Sequence, residues 1–145
     1  MSIWKRSKTV QDLQNWNEHT AAARLGIEFL EIGDDWISAR MPVDSRTVQP
    51  YGILHGGASV LLAETIGSCA AALCIDEENA YCVGLDVNAN HVRSVSKGWV
   101  TGTVRPFHIG RSTQVWEIRI VDDTDKLICI SRLTMAVVRR KPAVG

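Results

Sequence analysis

Residues 55–75 read HGGASVLLAETIGSCAAALCI, and the fold depends on what that run forms. Two glycines open it, no proline interrupts it, and apolar residues lie on every side of a 3.6-residue repeat rather than along one stripe. The run therefore predicts a helix from about His55 to Ile75 that is covered all round. At ~1.5 Å per residue it spans roughly 30 Å, about the diameter of a small domain, so it should pass through the middle of the molecule. A membrane span needs about 20 apolar residues and so comes into question. Against it stand the Ala, Ser, Thr and Gly content, the single carboxylate of Glu64 and the lack of flanking basic anchors.

Upstream of the run, Thr9–Trp16 predicts a short helix capped by Thr9, with Asp12 in its first turn. Residues 27–32 and 36–41 flank Gly33-Asp34-Asp35 and predict a β-hairpin. Asp44 to Gly52 contains Pro50 and Gly52 and predicts a loop. Downstream, Val83–His91 alternates apolar with small or polar residues, which predicts a strand with one core face and another carrying Asp86, Asn88 and Asn90. A strand over 98–105 should end at Pro106. Strands over 114–121 and 126–138 flank Asp122-Asp123-Thr124-Asp125 as a second hairpin. The expectation is one α+β domain over residues 1–145, an antiparallel sheet with its helices on one face. Too few residues remain to cover the far side of the long helix, so a second copy should complete its burial as a two-fold dimer.

At 145 residues the chain can bury about two-thirds of its unfolded surface. Lys+Arg and Asp+Glu balance at 16 each, which argues against nucleic acid as a partner. Arg139-Arg140-Lys141 reads as a solvated basic tail, or as a contact for phosphates on a small ligand. Cys69, Cys74, Cys82 and Cys129 include no C-x-x-C pair, and three of them lie in apolar surroundings, so they read as reduced core residues. No secretory signal follows Met1. Both features point to a cytoplasmic protein. His19, His55, His91 and His108 are scattered, so no metal site is expected. No G-x-S-x-G, Walker loop or G-x-G-x-x-G occurs.

On the helix, Gly57, Val60, Leu61, Glu64 and Ser68 share a face. A carboxylate there can act as general base or nucleophile, with Ser68 one turn away as a hydrogen-bonding neighbour. Gly56 and Gly57 leave the helix N-terminal N–H groups open to an approaching carbonyl oxygen, the chemistry of an oxyanion hole. Gly56 and Glu64 lie eight residues apart, ~12 Å along the axis, too far to serve one carbonyl within a single chain. A dimer that brings one copy's helix start to the other's Glu64 removes the difficulty. The competing structural reading pairs Glu64 with Arg40 or Arg105 and makes the glycines a tight entry turn.

The block from Asp44 to Glu64, DSRTVQPYGILHGGASVLLAE, resembles the hotdog-fold acyl-CoA thioesterases, in the 4-hydroxybenzoyl-CoA thioesterase subgroup. Within it the chain is most similar to the pair formed by 1,4-dihydroxy-2-naphthoyl-CoA hydrolase of menaquinone synthesis and the proofreading thioesterase of enterobactin synthesis. Val83–Ser94, Gln114–Trp116 and Ile3–Arg6 carry the same resemblance. It implies an antiparallel sheet wrapped around a long central helix and hydrolysis of an acyl-CoA thioester. Glu64 would attack the thioester or activate water, and the Gly56 N–H would polarise the carbonyl. Gln49 and His55 would position the carbonyl or the water, and Ser68 would assist Glu64. Val83, Asn90, His91, Val92 and Arg93, with Phe107, His108, Ile109, Gly110, Arg111 and Ser112, would line the coenzyme A channel, Arg93 and Arg111 meeting its phosphates. Sites would lie between subunits, with dimers pairing into homotetramers. Coenzyme A belongs to the substrate, and no other cofactor is implied. Residues 17–24 and the 139–145 tail depart from the pair, and the former border the acyl pocket. The acyl group is thus left between an aromatic acyl-CoA, such as 1,4-dihydroxy-2-naphthoyl-CoA, and an aryl group on a carrier protein. A non-catalytic acyl-CoA sensor is the alternative of another class.

Overall fold

Thr9 and Asp12 close a capping box, each side chain bonding the other's backbone N–H at 2.7 and 3.1 Å, and start α1 (Val10–Trp16) where the sequence places it. This computed structural model describes residues 1–144. After α1 come α2 (Ala21–Arg24), β1 (Glu28–Ile32), β2 (Ile37–Pro42), α3 (Gly56–Leu73), β3 (Ala80–His91), β4 (Trp99–Ile109), β5 (Thr113–Asp122) and β6 (Leu127–Arg139). The strands form one antiparallel sheet in the order β1-β2-β4-β5-β6-β3. The sheet wraps around α3, the α+β architecture expected. Residue 145 of the 139–145 tail lies outside the described residues.

Leu62, Ala63, Ile66 and Ala70 of α3 meet Ile37, Met41, Val104, Ile118, Leu133 and Met135 from the sheet's inner face, all fully buried. Each such large apolar side chain contributes roughly 1.5–3 kcal/mol of transfer free energy. The helix ends at Leu73, whose carbonyl accepts the Lys5 and Arg6 N–H groups at 2.8 and 3.2 Å. A pleated sheet covers only one side of a helix, and α1 and α2 are short. Burial all round is therefore not reached within one chain: Val60, Leu61, Glu64, Thr65 and Ser68 stay partly exposed on the far side. The helix has the length and mean hydropathy (1.4) of a membrane span, but its apolar inner face is spent on this sheet.

Two strands differ from expectation in ways that matter for function. β4 does not stop at Pro106. Beyond Val104 it has no β2 partner and pairs only with β5, so the missing proline N–H costs no ladder bond, and a bulge after Pro106 carries the strand on to Ile109. In β3 the register slips between Gly84 and Asp86. Gly84 pairs with buried Met135, whereas Val87 pairs with buried Leu133. The single alternation predicted over 83–91 is therefore two: even residues face α3 before the bulge and odd residues after it. Val83 and Leu85 point outward and are exposed.

Candidate active site

The start of α3 is held by the loop before it. The N–H of His55 donates to the Thr47 carbonyl at 2.8 Å and that of Leu54 to the Val95 carbonyl at 2.7 Å. His55 sits in extended conformation as the N-cap, and its Nδ1 accepts the Gly57 N–H at 2.8 Å. The His55 carbonyl takes the Ala58 and Ser59 N–H groups at 3.0 and 3.3 Å. Of the four N–H groups that a helix leaves open, Gly56 alone has no acceptor among the described residues. His55 thus leaves a single donor at the positive end of the dipole. A Cβ on Gly56 would lie 2.7 Å from His91 Nε2, which places the imidazole of β3 against Gly56. Gln49 stands in the same loop, its side-chain oxygen accepting the Tyr51 N–H.

Two turns further on is Glu64, half-buried and, among the described residues, without a hydrogen bond or ion pair. The structural pairing that would have explained it does not occur. Arg40 binds Glu28 at 2.8 Å and lies 4.0 Å over the Trp99 ring, and Arg105 binds Asp35 at 2.8 Å. The Glu64 carboxylate instead rests against Gly84, where a Cβ would overlap its Oε1. Gly84 is a site residue that the sequence reading missed, although a glycine inside a strand pattern is itself a sign of a bulge or a close approach. Ser68 lines the same cavity but makes no hydrogen bond to Glu64.

That cavity, of about 700 Å³, runs along the uncovered face of α3. Val60, Leu61, Thr65 and Cys69 extend its floor, and Trp16, Thr20 and Ala21 form a wall, so the 17–24 segment does border it. Burial pushes the Cys69 thiol up to about 11, against a weaker lowering by the Asn17 amide. The cavity floor therefore carries a neutral thiol at this position at physiological pH.

The remaining predicted residues form two groups that one chain keeps apart. Val83 pairs with Ala136, which pairs with Thr113, and Ser112 accepts the Val137 N–H at 2.9 Å. Val83 therefore adjoins the β4–β5 turn, where Gly110 donates to Thr113 at 2.9 Å and Arg111 is exposed. Phe107 is exposed, with the Arg132 guanidinium 5.3 Å over its ring, and His108 and Ile109 follow it, also exposed. Arg132 was not foreseen, since nothing local marks a strand residue whose partner is two strands away. Asn90, His91, Val92 and Arg93 sit at the opposite end of β3, Asn90 pairing with Ile130. Seven residues separate Val83 from Asn90, ~23 Å of strand. The same holds for Gly56 and Glu64, at the two ends of two helical turns.

β3 is the last strand of the sheet. The Val92 N–H donates to Ile128 at 2.8 Å, so antiparallel alternation turns the backbone groups of Val87, Ala89 and His91 away from β6, where no strand follows. Exposed Val83, Leu85 and Val92 flank this open edge.

A sheet wrapped on a central helix, with an unpaired carboxylate on that helix and one free N–H at its start, defines the class of hotdog thioester hydrolases. The thioesterase superfamily model matches residues 51–129. The chain is 53% identical over 135 residues to the 1,4-dihydroxy-2-naphthoyl-CoA hydrolase of Escherichia coli (strain K12), covering 93% of this chain and 98% of that protein. It is 47% identical to the proofreading thioesterase EntH of Cronobacter turicensis, with the same two coverages, 93% and 98%. In three dimensions it matches a mutant of thioesterase PA1618 from Pseudomonas aeruginosa with TM-score 0.94 at 49% identity, over 96% of this chain and 100% of that one. The chain belongs to the thioesterase superfamily, and it is a thioester hydrolase.

Proposed function

We propose that the chain, as a single hotdog domain over 1–145, hydrolyses an aromatic acyl-CoA to the free acid and coenzyme A. The observation that carries this is the unpaired Glu64 carboxylate on the floor of a largely apolar cavity. Water adds to the thioester carbonyl while Glu64 takes its proton, or Glu64 itself adds and water then cleaves the resulting anhydride. In either case the C–S bond breaks, the thiolate leaves and is protonated, and the oxyanion formed on the way is stabilised by the Gly56 N–H. His55 removes the competing Gly57 donor and, with Gln49, orients the carbonyl or the water. Ser68 supports Glu64 through water.

Gly56 and Glu64 meet across a dimer in this reading. The open β3 edge supports an antiparallel pairing with a second copy about a two-fold axis near Val87 and Asn88, midway between Gly84 beside Glu64 and His91 beside Gly56. The same pairing brings Val83 and the 107–112 turn toward the partner's Asn90 and the partner's Arg93, where Arg111 and Arg93 receive the coenzyme phosphates. We further propose that dimers pair into tetramers in the cytoplasm and that the reaction needs no cofactor beyond the coenzyme A of its substrate. A naphthoyl group such as 1,4-dihydroxy-2-naphthoyl is favoured by the hydrolase relative, and a carrier-protein thioester by the EntH relative.

The experiment is thiol release from aryl-CoA, alkyl-CoA and aryl carrier-protein thioesters by wild type and Glu64→Ala. Aryl-CoA turnover that falls about 10³-fold or more in the variant supports the assignment. Equal turnover by the two proteins would remove Glu64 from the reaction, and turnover of no ester by wild type would leave only an acyl-CoA sensor.

A further inference from the structure

The end of the cavity farthest from Gly56 is charged, which an apolar acyl group does not require. Arg6 and Arg140 both line it, together with Glu77. The Arg6 side chain is only 18% exposed, bridged to the Glu77 carboxylate and lying 5.7 Å from the Trp16 ring centre. Arg140 Nε donates to the Glu77 carbonyl at 2.8 Å, its backbone N–H to the Asn79 carbonyl at 2.8 Å, and its guanidinium lies 5.3 Å over Tyr81. Three separate parts of the chain, the N-terminal segment, the α3–β3 turn and the C-terminal tail, thus converge on one wall. Two guanidinium groups and one carboxylate leave that wall with one excess positive charge. Apart from Glu64, no other ionised side chain among the described residues lines the cavity.

The spacing suits a substrate of two fused rings. Arg6 is tied through its N–H to Leu73, nine residues and ~13 Å of helix beyond Glu64. Arg6 lines the cavity from there, so a guanidinium turned toward Glu64 would leave a gap nearer the length of a bicyclic acyl group than of a benzoyl group.

We propose that Arg6 and Arg140 form a specificity subsite that selects acyl groups carrying an anionic or strongly hydrogen-bond-accepting substituent at the end remote from the thioester. This rests on the aryl-CoA reading above. A guanidinium already aligned by an aromatic ring and a carboxylate loses little freedom on gaining a second acceptor. A methyl group in that place would leave both cations facing hydrocarbon.

The test compares kcat/KM for three thioesters of one shape, 2-naphthoyl-CoA, 6-methyl-2-naphthoyl-CoA and 6-carboxy-2-naphthoyl-CoA. Wild type should prefer the 6-carboxy over the 6-methyl ester by about tenfold or more. In Arg6→Met and in Arg140→Met the ratio should fall toward one, mainly through KM for the carboxylated ester. Turnover with no such preference in wild type overturns this inference alone, and so does a preference that survives in both variants. Turnover of none of the three overturns the aryl-CoA reading, and the subsite falls with it. The wild-type ratio needs no variant to fold.

Discussion

Gly84 holds no functional group, yet the position of the proposed catalytic carboxylate depends on it. Its missing side chain is the space that Glu64 occupies. In Gly84→Ala the end of a flexible Glu side chain yields more easily than backbone, so the fold should survive while the carboxylate moves. Misplacing a reacting group by about 1 Å costs on the order of 10²-fold, so kcat should drop by that factor with a near-unchanged Tm, measured by thiol release and thermal melting. Gly56→Pro is the matching deletion at the donor. His55 is already in the extended conformation that precedes proline, and proline suits the first helical position. The variant should keep the helix, with the end of the His91 side chain shifting off the new Cβ, and lose about 10²–10³ in kcat. The sequence made Glu64 and Gly56 legible because both are chemical anomalies in an apolar run. Gly84 lay hidden, because its role comes from a bulge that puts it opposite a residue twenty positions earlier. Cys69 carries a pH prediction. Its folded pKa, about 11, lies above the ordinary thiol value of 9.0, so its contribution is intact below pH 9 and lost as pH rises through 11. Denaturant unfolding at pH 8 and pH 11 should differ by on the order of 2 kcal/mol from this thiol, and Cys69→Ala should remove that part of the difference.

Between elements, the fully buried side chain of Gln114 joins β5 to α3. Its amide donates to the Ala71 carbonyl at 3.4 Å and its oxygen accepts the Trp116 indole N–H at 3.0 Å. Gln114→Leu strands both partners and should cost about 1–3 kcal/mol in denaturant unfolding. Adding Trp116→Phe removes one stranded donor, so the double variant should lose less than the sum of the two single losses. Element types were readable from periodicity, α3 and the two hairpins above all. The faces of β3 were not, because residues 83–91 alternate smoothly in sequence while the bulge at Leu85 reverses them in space. The run of β4 past Pro106 was unreadable for a related reason: whether a proline breaks a strand depends on whether its N–H has a partner to lose, and that is fixed by the short length of β2.

For the whole molecule, the separation of Gly56 from Glu64 makes a prediction about mixed subunits. Glu64→Ala and Gly56→Pro should each be nearly inactive alone. Unfolded together and refolded, half the dimers are mixed, and each mixed dimer has one intact site, so about a quarter of wild-type activity should return. No recovery would mean that each chain uses its own pair. The uncovered side of α3 was visible in the sequence as too few residues to cover it, whereas which sheet edge is open required the strand order. Trp4 and Trp116 lie with ring centres 6.4 Å apart and planes inclined by 12°, and the Trp4 indole N–H donates to the Gly33 carbonyl at 2.7 Å. Two indoles this close couple their electronic transitions, and where the in-plane transition moments are crossed the pair should give an exciton couplet in circular dichroism that Trp4→Phe abolishes. Arg6 lies two residues beyond Trp4, and any lifting of the N-terminal segment from the cavity's charged wall would extinguish that signal. The fold thus offers an optical reporter of whether the N-terminal segment lies against the cavity.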